Sequence, residues 1–394
     1  MSNTPLRRGT LAVVRTAWIV TAIFILSNAA TPLYLHWQHT LGFGAGILTT
    51  IFACYIAGLL LTLTVAGQLS DYYGRKALLV PCVGFAIIAA VQFDQAQSVG
   101  MLMLARFLTG ISVGLVVSGG MANVVDHAEP HRKHFASLMA SMAMVAGAGM
   151  GPMLAGTAAH YLAAPEHVVF RIEVGLLLLA LLAVVSQPNH RQSYGEFRLQ
   201  LPSVPRANVG VVLTGISFFG PGLTATSFVL SLGPKLMSTF LHVNSPLVTG
   251  GMAFAMFMVA LGAQLLAKKL PAQKIFMLSG VSTVAAMCCV WTALELGSAP
   301  WLVLSALLAG AGQGLGQLGG LTLIADNVPS ECRAQANALL NMGAYIPAGA
   351  IPVLAGFLID LAGLATGVAT LAVLIASMAL LGEHALLKVR LQAL

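Results

Sequence analysis

Gly67-Gln68-Leu69-Ser70-Asp71-Tyr72-Tyr73-Gly74-Arg75-Lys76 is a short polar stretch set between two long apolar ones. Residues 44–66, before it, hold no Asp, Glu, Lys, Arg or His, and residues 77–95, after it, hold one charge, Asp94. Each flank has the length of a helix that crosses the hydrocarbon of a bilayer, about 20 residues. Two crossings joined by a ten-residue turn put residues 67–76 at a membrane surface. Asp71 is then an acid in a basic loop.

The rest of the chain extends the same pattern. Of its 394 residues 58% are hydrophobic and only 8% are charged, against roughly 25% charged in soluble domains. That excludes a water-soluble enzyme, a disordered tail and a nucleic-acid module. Spans are expected near 11–35, 44–66, 77–95, 100–122, 135–158, 168–187, 208–232, 246–267, 275–295, 301–325, 335–358 and 363–385. They are read as helices because lipid offers open backbone groups no partner. The fold class is therefore an all-α membrane protein of twelve transmembrane helices. The first apolar stretch follows Arg7 and Arg8 but is too long for a signal peptide and carries Arg15, so it is read as a retained span. Cys54, Cys82, Cys288, Cys289 and Cys332 have no metal-ligand or disulfide spacing and read as small apolar fillers.

Placement of the basic residues sets the orientation. Of 19 Lys and Arg, 16 fall on the side of the chain termini, from Arg7 and Arg8 to Lys388 and Arg390. Arg171 and Lys235 fall opposite, and Arg106 lies inside a span. The bias puts both termini in the cytoplasm. The longest polar stretch, 188–206, reads as a cytoplasmic linker, giving a first bundle of six helices over 1–187, a linker over 188–207 and a second bundle over 208–394.

The two bundles look like copies. At an offset of 200, residues 102–156 align with 302–356 without a gap, and about 17 of the 55 positions are identical. Gly110, Gly114, Gly119, Gly120, Asp126, Gly149, Pro152 and Gly156 meet Gly310, Gly314, Gly319, Gly320, Asp326, Gly349, Pro352 and Gly356. Six helices per copy give both the same orientation, a parallel duplication found in transporters.

With the loop, the span count and the repeat in hand, the chain resembles the major facilitator superfamily. Its loop matches the family signature G-x-L-x-D-x-x-G-R-[RK] at every key position. The degenerate second copy, Gly262 to Lys274, has no aspartate. The resemblance implies transport by alternating access between two six-helix bundles. It also implies that Gly67, Asp71, Gly74, Arg75 and Lys76 form a latch on the cytoplasmic side. Independently of the family, Gly67 is read as a point of close helix approach, and Asp71 as an acid facing the positive end of span eleven. Arg75 or Lys76 is expected to reach Asp126.

Two further stretches resemble family motifs. Arg106, followed by Gly110 and Gly114, is an intramembrane charge, costly and so functional by default; the alternative is an arginine snorkelling to the interface. Gly147, Gly151, Pro152 and Gly156 of span five are similar to the gating helix of the drug:proton antiporter branch. This thin face is expected to pack against the other bundle. Proton coupling falls by elimination to Arg106 with Glu173 or Asp94, because span one offers only Asn28 and Thr31 where several drug antiporters carry an acid. Glu173 could instead pair locally with Arg171.

The spans that line the pathway in the family offer Asn28, Thr31, Arg106, Ser217, Phe218, Gln313 and Gln317 for a solute, a set suited to amphipathic or neutral-to-anionic organic molecules. No carboxylate pair for a metal, phosphate loop or nucleophile–base pair at bilayer depth is visible, so no cofactor and no enzymatic activity are expected. The expected partners are a small solute, protons and lipid, with no nucleic acid, for a monomer in the bacterial inner membrane. The leading reading is a proton-coupled exporter. An uptake symporter or facilitator, and a receptor built on a transporter fold, are the alternatives.

Overall fold

The twelve expected helices are present in the computed structural model, which describes residues 4–187, 202–240, 242–243, 245–329 and 332–392. In chain order spans one to six are Leu11–Leu41, Ala45–Leu63, Arg75–Asp94, Val99–Asp126, Phe135–Tyr161 and Pro165–Val185. Spans seven to twelve are Arg206–Ser238, Pro246–Ala267, Ala272–Leu296, Ala299–Asn327, Arg333–Ala362 and Leu364–Glu383. No strand occurs among the described residues. With twelve crossings both termini share one side, here called the terminal side; the other is the far side.

Local chemistry explains two departures from regular helix. Span one tightens into a 3₁₀ turn at Thr31–Leu33 before continuing as Tyr34–Leu41. Pro32 has no N–H to give and disfavours α geometry in the residue before it. Span four contains a wider π-helical turn at Val116–Gly120, which carries Gly119 and Gly120; such turns often mark working sites.

The helices group into two compact units, one of Met1–Leu33 with Cys54–Leu201 and the other of Tyr34–Ala53 with Pro202–Leu394. This differs from a division at the linker alone: the end of span one and the start of span two group with the second unit. Of the expected linker, 188–207, residues 188–201 lie outside the described residues, and the helix of span seven already begins at Arg206.

Inside each unit the repeated glycines do the same job. In the first, a Cβ on Gly110 would run into the Tyr55 carbonyl of span two, and one on Gly114 would lie 2.7 Å from Cβ of Thr62. In the second, a Cβ on Gly310 would strike the Met256 carbonyl of span eight, and one on Gly314 would lie 2.5 Å from the Ala260 carbonyl oxygen. Spans four and ten thus press backbone to backbone on spans two and eight, a contact only small residues allow. The repeat read in the sequence is a repeat of helix packing.

Candidate functional site: the signature loop and a buried arginine

Span two stops at Leu63, and Ala66–Tyr73 forms a separate short helix, so most of the signature stretch is itself helical. Gly74 follows with φ +88°, a conformation that side-chain-bearing residues avoid. That turn delivers Arg75 and Lys76 to the start of span three. Arg75 Nε lies 3.2 Å from a carboxylate oxygen of Asp126 at the end of span four, and its Nη1 donates to Ser70 Oγ at 2.5 Å. Lys76 Nζ donates to the carbonyls of Val185 and Gln187 at 2.7 Å each. It places a cation on the negative end of span six. The Gln187 Oε1 in turn accepts from Asn123 Nδ2 at 3.2 Å.

Of the expected pairs, the one from Arg75 to Asp126 is present. Two points differ. A Cβ on Gly67 would meet nothing within 4 Å, so this glycine marks no close helix approach: span two has already ended four residues earlier. The side chain of Asp71 lies outside the described residues.

In the first unit, Arg106 is fully buried and does not snorkel. Its Nη1 donates to the Ser27 carbonyl of span one at 2.6 Å. The guanidinium carbon sits 5.7 Å from the centroid of the Phe93 ring, within cation–π reach. Phe93 stacks on Phe170 of span six at 4.8 Å. Asn28 donates from Nδ2 to Ser27 Oγ at 3.1 Å, so spans one, three, four and six meet around one cation.

The acids are arranged differently from expectation. Asp94 is engaged by His167 Nδ1 at 2.8 Å and by Arg171 Nε at 3.6 Å, so its ion pairs lie at the far-side rim rather than with Arg106. Arg171, taken by Asp94, is not the partner of Glu173. Glu173 is fully buried, three residues along span six from Phe170 and on the same packed face. Neither of its carboxyl oxygens has a hydrogen-bond partner among the described residues. His167 and the aromatic pair went unnoticed in the sequence. The signal for Phe93 and Phe170 was their position, one residue from Asp94 and three from Glu173.

Span five is one uninterrupted helix, Lys133–Tyr161, with Pro152 inside it, and Pro152 and Gly156 are buried. Two of its glycines, Gly147 and Gly151, face span one of the same unit. A Cβ on Gly147 would lie 2.6 Å from the Thr21 carbonyl oxygen, and one on Gly151 would strike the Ile25 carbonyl. The expected contact of these two glycines with the other bundle is replaced by backbone packing within the first.

The solute candidates divide. Thr31 lies buried in the 3₁₀ turn, its hydroxyl without a hydrogen-bond partner among the described residues. Gln317 Oε1 accepts from Gln264 of span eight at 3.3 Å, and the Gln313 Oε1 has no hydrogen-bond partner among the described residues. Phe218 stacks on Phe276 of span nine at 4.6 Å. Ser217 bonds the Thr214 carbonyl at 2.8 Å, and its backbone lies against Gly382 in the helix of span twelve. Both take part in helix packing inside the second unit.

Comparison with known proteins agrees with this architecture. The sequence model described as Major Facilitator Superfamily matches residues 17–296 and, overlapping, 245–391. The quinolone resistance protein NorA of Staphylococcus aureus is 24% identical over 241 residues, 58% of this chain and 59% of NorA. Multidrug resistance protein 1 of Bacillus subtilis is 28% identical over 129 residues, 32% of each chain. An uncharacterized transporter of Rickettsia felis is 29% identical over 171 residues, 42% of each. The chain thus spans about one third to three fifths of the length of these relatives. Among solved structures, a D-xylose-proton symporter superposes with a TM-score of 0.76 at 14% identity, covering 95% of both chains. A bacterial homologue of the lysosomal transporter Spinster gives 0.72 at 16% identity, covering 98% of this chain and 99% of that one.

Proposed function

The chain belongs to the major facilitator superfamily, and from that premise we propose that this membrane transporter exports an amphipathic organic solute in exchange for protons. The names of the NorA and multidrug resistance relatives support the solute class and the direction. The bias of Lys and Arg supports a cytoplasmic terminal side. In this reading Arg75, Lys76 and Asp126 brace the signature loop, Asp71 latches it, and Gly147, Gly151, Pro152 and Gly156 shape the gate-forming helix.

One observation supports the coupling: Glu173 is fully buried, and neither of its carboxyl oxygens has a hydrogen-bond partner among the described residues. Bare charge at such a place is costly, so the group suits a carrier that holds its proton in one state and releases it when the cycle brings water or a cation to it. Arg106, over the Phe93 ring that stacks on Phe170, is the buried cation of the same unit.

The test uses proteoliposomes that enclose a pH dye and receive a fluoroquinolone and a panel of amphipathic dyes. Wild-type protein is expected to move protons against solute. Glu173→Gln is expected to bind solute but lose that proton movement. Solute flux in the wild type without a pH response would overturn the exchange reading in favour of a facilitator.

A further inference from the structure

The loop entering span two at the far side is tightly built. Gln38 Nε2 donates to the carbonyls of Phe43 and Gly44 at 3.2 and 3.3 Å, and Gly42 makes the turn with φ +68°. The helix begins at Ala45, so its first N–H groups have no partner in their own helix. The partner comes from span eleven. One carboxylate oxygen of Asp360 accepts from Ala45 N–H at 2.8 Å and the other from Gly46 N–H at 2.7 Å. A Cβ on Gly44 would lie 2.6 Å from that carboxylate, and one on Gly46 would lie 2.5 Å from the Phe357 ring. A Cβ on Gly356 would lie 2.7 Å from the Ala45 carbonyl oxygen. Gly44 thus leaves room for the carboxylate, while Gly46 and Gly356 let the two helices approach closely.

We propose that Asp360 is a positioning residue of the transport cycle: its carboxylate clasps the N-terminus of span two at the far side and is released when that side opens. The position of the clasp in the chain supports this. Residues 45–53 group with the second unit, whereas the remainder of span two, from Cys54, groups with the first. For the far side to part between two six-helix bundles, residues 45–53 must leave span eleven, and the two hydrogen bonds of Asp360 are the polar contacts that break. Span two carries Asp71 beyond its other end, so an acid serves each side of the membrane. Asp360 also lies in the last turn of its own helix, where its charge is unfavourable; span two supplies the positive end that span eleven denies it. The proposal rests on transport by alternating access but on neither the solute nor the coupling ion.

The test is far-side accessibility. In protein whose five native cysteines are replaced, Phe357→Cys is labelled with a membrane-impermeant maleimide from the far side. Asp360→Asn is expected to raise the labelling rate roughly three- to tenfold, the shift that loss of one charge–dipole contact gives a near-balanced equilibrium. Asp360→Glu is expected to restore part of it. Ala45→Pro provides a second variant, because proline is tolerated at the first helical position while removing one of the two donors; it is expected to raise labelling with the charge intact. Unchanged labelling in folded Asp360→Asn and Ala45→Pro proteins would overturn the clasp. Because labelling needs no solute and no proton gradient, that result would leave the exchange reading standing, and the converse also holds.

Discussion

At the residue scale, Arg106 shows how a charge is kept in an apolar bundle. Its contacts include a hydrogen bond to one carbonyl, Ser27, and a place over one ring, Phe93. A lysine would keep the charge but not the planar fork that lets both contacts be made together. Arg106→Lys is therefore expected to lower transport by about tenfold, the loss of roughly 1.4 kcal/mol from a buried cation–π and hydrogen-bonded site. The check is initial uptake rate at matched membrane abundance, with Phe93→Leu expected to give a similar loss. The sequence announced Arg106 because a charge inside a span stands out. It did not announce Asp360, although a clue was there: an acid in the final turn of a helix opposes its own helix dipole, and such a residue has a partner elsewhere. Glu173 was visible as an acid, but its lack of a hydrogen-bond partner among the described residues was not, because Arg171, two residues away, offered an obvious partner, and Arg171 pairs with Asp94 instead.

At the scale of single helices, glycine spacing was legible and its targets were not. Glycines at 147, 151 and 156 mark a thin face on span five whichever helix meets it. The structure places the first two on span one. Gly151→Leu is accordingly expected to destabilise the first unit itself, by about 1–3 kcal/mol or more as an overpacked contact. It should lower the temperature at which detergent-solubilised protein loses its monodisperse peak. Gly175→Leu on span six is the matched control, since a Cβ there meets nothing within 4 Å, and it should leave that temperature unchanged. The 3₁₀ turn of span one was legible only in outline. Pro32 stood in plain view, but an apolar stretch with a proline reads equally as a kink or as an end. The π turn of span four left no composition signal beyond its paired glycines.

At the scale of the whole molecule, the span count, the duplication and the family were readable because hydropathy and repeated Gly-Pro-Asp spacing are long-range patterns that single substitutions do not erase. A boundary drawn at the most polar stretch follows chain connection, whereas residues 34–53 group with the second unit by packing. Orientation gives the prediction at this scale. Fusion of a fluorescent reporter that matures only in the cytoplasm to either terminus is expected to give signal, and fusion of a phosphatase active only outside is expected to give none. The reverse pattern at either terminus would undo the assignment made from the basic residues.

A linker is commonly pictured as slack rope. Here the rope is tied off before it leaves the first six helices: Lys76 grips the carbonyls of Val185 and Gln187, and Asn123 holds the Gln187 side chain. A pull on Gln187 is therefore borne by Lys76, next in the chain to Arg75 and its pair with Asp126. In mechanical terms the signature loop is the cleat at which the end of span six is made fast.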